Sequence, residues 1–340
     1  MKNIELIGEI GTNHNGNIDE AFKLIDLASK ANIDTVKFQI YTSKDIVSPL
    51  VKSSLYGIKS KYEYWKDFID NQLITPVDWL KELIPYCESV GLNVVATAHS
   101  IKAAEQCLNL GVKRLKVASM DCNYFPFIKN LANLNVPILL STGMANKYEI
   151  MKSVEILLNK NIDLTLFHCT ATYPTKYQEA NLDFLKFLDS LNPTKLGLSD
   201  HSENNDLVLM SIPYGVHVIE KHITVDKTQP GPDHPFALDF EGMVDLRAKT
   251  NNGSMALGSG NKDLSENEMN NRIKYRRKPI LKRQMKKGEI LNENDVYYAR
   301  PENITSGVVD IEDLQFYIGM KFVSDVPSDF ALRREFFIKK

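Results

Sequence analysis

The chain is poor in cysteine. Its four thiols, Cys87, Cys107, Cys122 and Cys169, include no C-x-x-C pair. That excludes a disulfide framework and a cysteine-built zinc site, and is consistent with reduced thiols. Net charge is also lacking, at −2. No global basic signal marks a nucleic-acid or anionic-membrane partner, so neither is expected. No apolar run approaches a membrane-spanning length. The N-terminal run is broken by Glu9, too early for a signal peptide. A cytoplasmic enzyme is therefore expected. A further absence concerns the loop after the first apolar run, Gly11-Thr-Asn-His-Asn-Gly16. It lacks the third glycine of a dinucleotide-binding turn, which counts against a doubly wound open sheet.

What is present is ordinary globular composition, 43% hydrophobic and 25% charged, arranged in alternation. Short β-type runs fall at 4–10, 35–40, 93–97, 114–117, 136–140, 164–168, 196–198 and 216–221. Amphipathic helical patterns at 18–31, 76–90, 101–110, 124–134, 147–159 and 181–191 separate them. Thr75-Pro-Val-Asp reads as a helix start, and Gly91 and Gly111 as helix stops. Eight strands alternating with helices predict an α/β fold, a (β/α)8 TIM barrel over residues 1–258. The long segment Tyr41–Ile74 is expected as a lid or substrate wall, or as an outside insertion. Residues 259–275 read as a polar linker or solvated helix. Residues 276–340 read as a small β-rich domain. The basic run Arg272–Lys287 is expected as a solvated edge or subunit contact rather than a nucleic-acid patch, because no aromatic stacking pattern accompanies it.

In such a barrel the chemistry sits at the C-terminal ends of the strands. Here every strand end is polar. His201 and His222 close two clusters 222 − 201 = 21 residues apart, one strand–helix unit, which places both imidazoles at the same end of neighbouring strands. Two imidazoles near carboxylates are candidate ligands of a catalytic divalent metal. Lys37 and Lys116 interrupt runs that should line the barrel, where a lysine needs an anion. With Ser119, Ser141 and Thr142 they make a candidate phosphate or carboxylate cradle; alternatively one is a Schiff-base lysine, or is paired to Glu9. Glu9 is a candidate general acid or base. Gln39, Asp121, Tyr173 and Asp233 offer hydrogen bonds suited to a polyhydroxylated substrate.

The motifs Glu9-Ile-Gly-Thr-Asn-His-Asn-Gly16, Val36-Lys-Phe-Gln39, Lys116-Val-Ala-Ser119, Leu140-Ser-Thr-Gly-Met144, His168-Cys-Thr-Ala-Thr-Tyr-Pro174, Gly197-Leu-Ser-Asp-His-Ser202, Ile219-Glu-Lys-His222 and Gly231-Pro-Asp-His234 together resemble the sialic acid (N-acetylneuraminate) synthase family. Lys286-Lys-Gly-Glu-Ile-Leu with Ala299-Arg-Pro301 resembles its C-terminal antifreeze-like (SAF) domain. The resemblance implies condensation of phosphoenolpyruvate with the open-chain aldehyde of an N-acylated amino sugar, N-acetylmannosamine in the first instance. With water, this gives a nine-carbon 2-keto sugar acid and phosphate. It implies Mn2+ or Mg2+ on His201 and His222, which with Glu9 form the catalytic set. Lys37, Lys116, Ser119, Ser141, His168 and Ser199 are implied around phosphoenolpyruvate. Gln39, Asp121, Tyr173 and Asp233 are implied on the sugar, as is Arg300, contributed by the partner of a domain-swapped homodimer.

The sequence departs from the family where Ala96-Thr-Ala-His99 replaces the usual Ser-Thr-Pro-Phe. It departs again at Asp121, where several members have Glu, at Ala171, in the long loop, and at Glu302-Asn-Ile-Thr. These departures leave the acceptor open, since pseudaminic and legionaminic acid synthases, acting on diacetamido hexoses, share the framework. A metal-independent Schiff-base aldolase and a carbohydrate- or ice-binding protein are the alternatives from other chemistries.

Overall fold

A computed structural model describes residues 4–56, 61–302 and 307–337. Of the segments discussed above, part of the long loop (57–60) and Asn303–Thr305 lie outside them. The chain divides into two compact units, Met1–Ser259 and Gly260–Lys340.

In the first unit eight parallel strands close a barrel in sequence order. They are β1 (Glu5–Glu9), β2 (Thr35–Ile40), β3 (Asn93–Ala98), β4 (Leu115–Val117), β5 (Ile138–Ser141), β6 (Leu164–Cys169), β7 (Lys195–Asp200) and β8 (Val218–His222). The expected (β/α)8 barrel is what forms. The helices arise where the periodicity places them. In Ile18–Lys30, Ala21, Leu24, Ile25 and Ala28 make one buried stripe, and the Asn17 side chain accepts from Asp19 N at the start. Helices Ile101–Asn109, Phe125–Ala132 and Lys147–Leu158 lie within their expected ranges. Two helices are shorter than their patterns. Pro76 leads into a 3-10 turn, Val77–Trp79, and the α-helix begins at Leu80. Leu182–Phe184 is likewise a 3-10 turn before Leu185–Asp189. Pro76 is extended, at ψ 129°, so it precedes the first turn instead of joining it.

Two cores result. One packs the outer faces of the strands against the helices. The other is a small plug inside the barrel, made by Ile7, Val95, Leu139, Phe167 and Val218. Gly197 is needed there: a Cβ would stand 2.7 Å from the Phe167 ring. Arg114 reaches Glu5 with two guanidinium nitrogens, one bond measuring 3.0 Å, and Thr35 joins the same carboxylate. The long loop after β2 forms short helical turns around its own cluster of Tyr41, Ile69 and Leu73.

The second unit holds an exposed helix, Glu266–Tyr275, within the segment read as linker or solvated helix, and none of its residues is buried. Two antiparallel strands follow, β9 (Lys278–Leu281) and β10 (Val296–Ala299). The other β-type runs there pair through isolated bridges such as Met285–Val326 and Ile290–Lys321. Their core is Leu281, Met285, Leu291, Val296, Val309, Leu314, Phe322, Val326 and Leu332. Among the described residues, no helix is long and apolar enough to cross a membrane.

Candidate active site

Side chains alternate along a strand, so register decides what enters the barrel. Glu9 on β1 is level with Lys37 on β2 and His222 on β8. Lys37 and Gln39, Lys116, Ser199 and His201, and Glu220 and His222 face inward above the apolar plug. There they line one cavity of about 310 Å³. Thr97, Ser119, Ser141, Cys169, Tyr173 and Asp233 line it too, and Tyr41, Ile46 and Leu73 of the long loop form part of its wall. Glu9 lies beneath, fully buried. Gly11 lets the following loop pass close over it, where a Cβ would meet Gln39 Cγ at 2.5 Å.

Four charged groups make the floor. Lys37 Nζ contacts Glu9 Oε2, lies 3.4 Å from Glu220 Oε1 and donates to Thr97 Oγ1 at 3.2 Å. Lys116 Nζ donates to Glu220 Oε2 at 3.0 Å and sits 3.6 Å from the centre of the Phe167 ring. Ser199 donates to Glu220 Oε1 at 3.0 Å. Burial works against the Glu220 carboxylate, but the Lys116 and Lys37 ammonium groups outweigh it and hold Glu220 well below the usual range. Burial also opposes the Lys37 charge, and Glu220 and Glu9 more than offset that, raising it. For Glu9 burial prevails and pushes the carboxyl up.

At one side of the cavity the His201 and His222 rings lie 5.3 Å apart, flanked by Tyr173 and Phe236. His201 Nδ1 is bonded to Thr170 O at 3.0 Å. His222 Nδ1 lies 3.2 Å from Asp233 Oδ2 but outside hydrogen-bond geometry, while Asp233 accepts from Thr12 Oγ1 at 2.9 Å. Burial lowers the His222 pKa, but Asp233 outweighs it and the ring is raised. A buried imidazole nitrogen without a hydrogen bond, a second imidazole and nearby carboxylates suit a divalent cation. Among the described residues, no group of three or more His, Cys, Asp and Glu side chains could hold a metal. An ion here would take two imidazoles and complete its shell with oxygens from outside the protein.

Of the residues singled out in the sequence, Lys37, Gln39, Lys116, Ser119, Ser141, Tyr173, Ser199, His201, His222 and Asp233 share the cavity, above Glu9. Three residues of the barrel unit do not line it: His168, Asp121 and Thr142, whose Oγ1 donates to Phe167 O at 2.8 Å. His168 is turned away, because Phe167 and Cys169 take the inward positions on β6. Its Nε2 is bonded to Ala180 O at 2.6 Å. Asp121 instead reaches His99 Nδ1 at 2.6 Å. Arg300 belongs to the second unit and lies 4.9 Å from the Tyr275 ring centre. Sequence reasoning missed Glu220, the partner of both lysines, and the cavity residues Tyr41 and Cys169; His99, marked there only as part of the changed segment after the third strand, also lines the cavity. The period-two spacing from His222 was the available signal for Glu220. Lys221, between them, faces outward and donates to Asp200 Oδ2 at 2.7 Å, Ser202 O at 2.8 Å and Asn204 O at 2.6 Å.

A closed parallel barrel with paired lysines, carboxylates and imidazoles at the C-terminal strand ends defines a TIM-barrel enzyme site. The chain belongs to the NeuB family, whose model matches residues 24–262. It is 33% identical over 310 residues to the N,N'-diacetyllegionaminic acid synthase of Campylobacter jejuni subsp. jejuni, covering 89% of this chain and 92% of that protein. It is 30% identical over 307 residues to a pseudaminic acid synthase of the same organism, covering 88% of each. Among solved structures it is similar to the N-acetylneuraminic acid (sialic acid) synthetase of Leptospira borgpetersenii serovar Hardjo-bovis in complex with citrate. The TM-score is 0.70 and the identity 26%, with 79% of this chain and 90% of that chain covered. The chain is accordingly a nonulosonic acid-type synthase, a phosphoenolpyruvate-dependent enzyme that forms a carbon–carbon bond.

Proposed function

We propose that the cavity condenses phosphoenolpyruvate with the open-chain aldehyde of an N-acylated amino hexose and water, releasing phosphate and a nine-carbon 2-keto sugar acid. The observation that carries this is the pair of buried ammonium groups, Lys37 and Lys116, sharing one cavity with Ser119, Ser141 and Ser199. Two cations and three hydroxyls suit the phosphate and carboxylate of the enol substrate. Its methylene carbon attacks the aldehyde carbon, water adds at the carbon bearing phosphate, and the carbon–oxygen bond of the resulting adduct breaks to release phosphate. Glu9, pushed up by burial, stands under the cavity as the group that exchanges a proton with the reacting oxygen or water. Mn2+ or Mg2+ held by His201 and His222 would polarise the aldehyde as a Lewis acid. Gln39, Tyr173 and Asp233 offer hydrogen bonds to the sugar. Both lysines are already ion-paired, which favours this reading over a Schiff-base aldolase.

N-acetylmannosamine is the acceptor first implied by the sequence motifs. A diacetamido hexose is favoured by the legionaminic and pseudaminic acid synthases among the relatives that reach 30% identity. The apolar cavity wall of Ile46, Leu73, Met120 and Met144 also suits the less polar sugar. We also propose that the second unit is the antifreeze-like domain, and that Arg300 is supplied across a homodimer to the partner's site. The test is phosphate release from phosphoenolpyruvate, with and without Mn2+, across N-acetylmannosamine, its 6-phosphate and the two diacetamido hexoses. Metal-dependent release with one acceptor identifies the sugar. No release with any of them, from folded protein, overturns the reading.

A further inference from the structure

His99 stands at the end of β3, where alternation carries Val95 into the plug and Thr97 and His99 into the cavity, with Ala98 packed outward. Here the ring is buried, its edge against Tyr41 at 5.2 Å between centroids and 83° between planes. Its Nδ1 is 2.6 Å from Asp121 Oδ2, a buried carboxylate from the turn after β4. An ionised carboxylate only accepts, so Nδ1 carries the proton. In the neutral ring Nε2 is then an acceptor. Nε2 makes no hydrogen bond to any described residue. A Phe ring would close the wall with carbon; His99 closes it with one acceptor nitrogen, its tautomer set by the aspartate behind.

We propose that His99 is a specificity-determining residue, and Asp121 its positioning residue, for the sugar end of the site. His99 Nε2 accepts a hydrogen bond from an N–H or O–H of the acceptor. This assignment rests on the synthase reading above. The phosphate and carboxylate oxygens of the enol substrate find their donors at Lys37 and Lys116 on the floor, which leaves the sugar to meet His99 on the wall. The lysine floor and the His99 wall therefore divide the cavity: cations for the acidic substrate, an acceptor for the neutral one.

The experiment is steady-state kinetics of the full-length enzyme and four variants, with the acceptor KM and the phosphoenolpyruvate KM measured separately. His99→Phe and Asp121→Ala are expected to raise the acceptor KM about tenfold, with the phosphoenolpyruvate KM moving less than about twofold. Asp121→Asn, which still accepts from Nδ1, should recover most of the loss. His99→Leu gives the same readout with a smaller side chain that has no acceptor, should His99→Phe fail to fold. An unchanged acceptor KM in the His99 variants, or an equal rise in both KM values, overturns the assignment while leaving the synthase reading intact. Absence of phosphate release by the unaltered enzyme with every acceptor overturns the synthase reading itself, and this assignment with it.

Discussion

Lys116 and Glu220 meet across the barrel: the ammonium of β4 donates to the carboxylate of β8 at 3.0 Å. Because Lys37 shares the same carboxylate, Glu220 is the common counterion of two lysines inside the barrel; with Glu9 it raises Lys37, whereas at Lys116 burial outweighs it and lowers the group.

Glu220→Ala therefore leaves two buried ammonium groups without their common partner. The expected loss is about 3–5 kcal/mol of unfolding free energy, read by urea denaturation of the barrel. A loss of less than about 1 kcal/mol, the range of a surface pair, would remove Glu220 from this role.

His222→Ala should weaken Mn2+ binding by about 100-fold or more, measured by the electron paramagnetic resonance signal of free Mn2+. Chelation with EDTA should abolish phosphate release, and added Mn2+ should restore it. Unaltered Mn2+ affinity in the variant would show that the ion binds elsewhere.

His14 gives the fold an acid-sensitive point. Burial pushes its pKa down to about 4 from 6.5. Its Nε2 is bonded to Thr75 Oγ1 at 2.8 Å and its Nδ1 accepts from Gly16 N at 3.1 Å, so both nitrogens are committed to the neutral ring. Between these two values the unfolded chain holds the proton and the folded chain does not. Stability then falls as pH drops through the window, by up to about 1.4 kcal/mol per pH unit. Urea midpoints of His14→Gln should be flatter than the parent's between pH 6.5 and pH 4. Parallel curves would count against the assignment.

Gly197→Ala places a methyl group 2.7 Å from the Phe167 ring. Overpacking of the plug should cost about 1–3 kcal/mol, seen as a lower thermal midpoint. Since Phe167 also carries the Lys116 ammonium on its face, the phosphoenolpyruvate KM should rise in the same variant.

Removing residues 260–340 should leave a cooperatively unfolding barrel, since Met1–Ser259 has its own core, and should abolish turnover. A truncated barrel with full activity would eliminate the role proposed for Arg300.

The barrel was legible because its signals are local. Buried runs such as Val36–Ile40 and stripes such as Ala21-Leu24-Ile25-Ala28 each announce an element without reference to distant residues. The inward lysines were legible for the same reason, as charges inside apolar runs. The partners were not. Nothing near Lys116 in the sequence points to Glu220, 220 − 116 = 104 residues away, because barrel closure makes that pair. His168 shows the converse: its residue type suits a site, but its parity on β6 sends it outward. His99 and Asp121 were each marked in the sequence, but their pairing was hidden because they lie 121 − 99 = 22 residues apart at the ends of neighbouring strands.

The alternation on β8 has a consequence for how this sequence can change. Glu220 and His222 project into the cavity, and Lys221 between them is locked to Asp200 on the opposite face. Deleting or inserting a single codon in 218–222 would exchange the two faces in one event. A lysine would enter the catalytic chamber, while the shared counterion and an imidazole moved into the helix packing. Single replacements along this strand can be graded in effect, but a change of length cannot. Variation in substrate preference should accordingly accumulate in the loops and at strand tips such as position 99, with the length of β8 held constant.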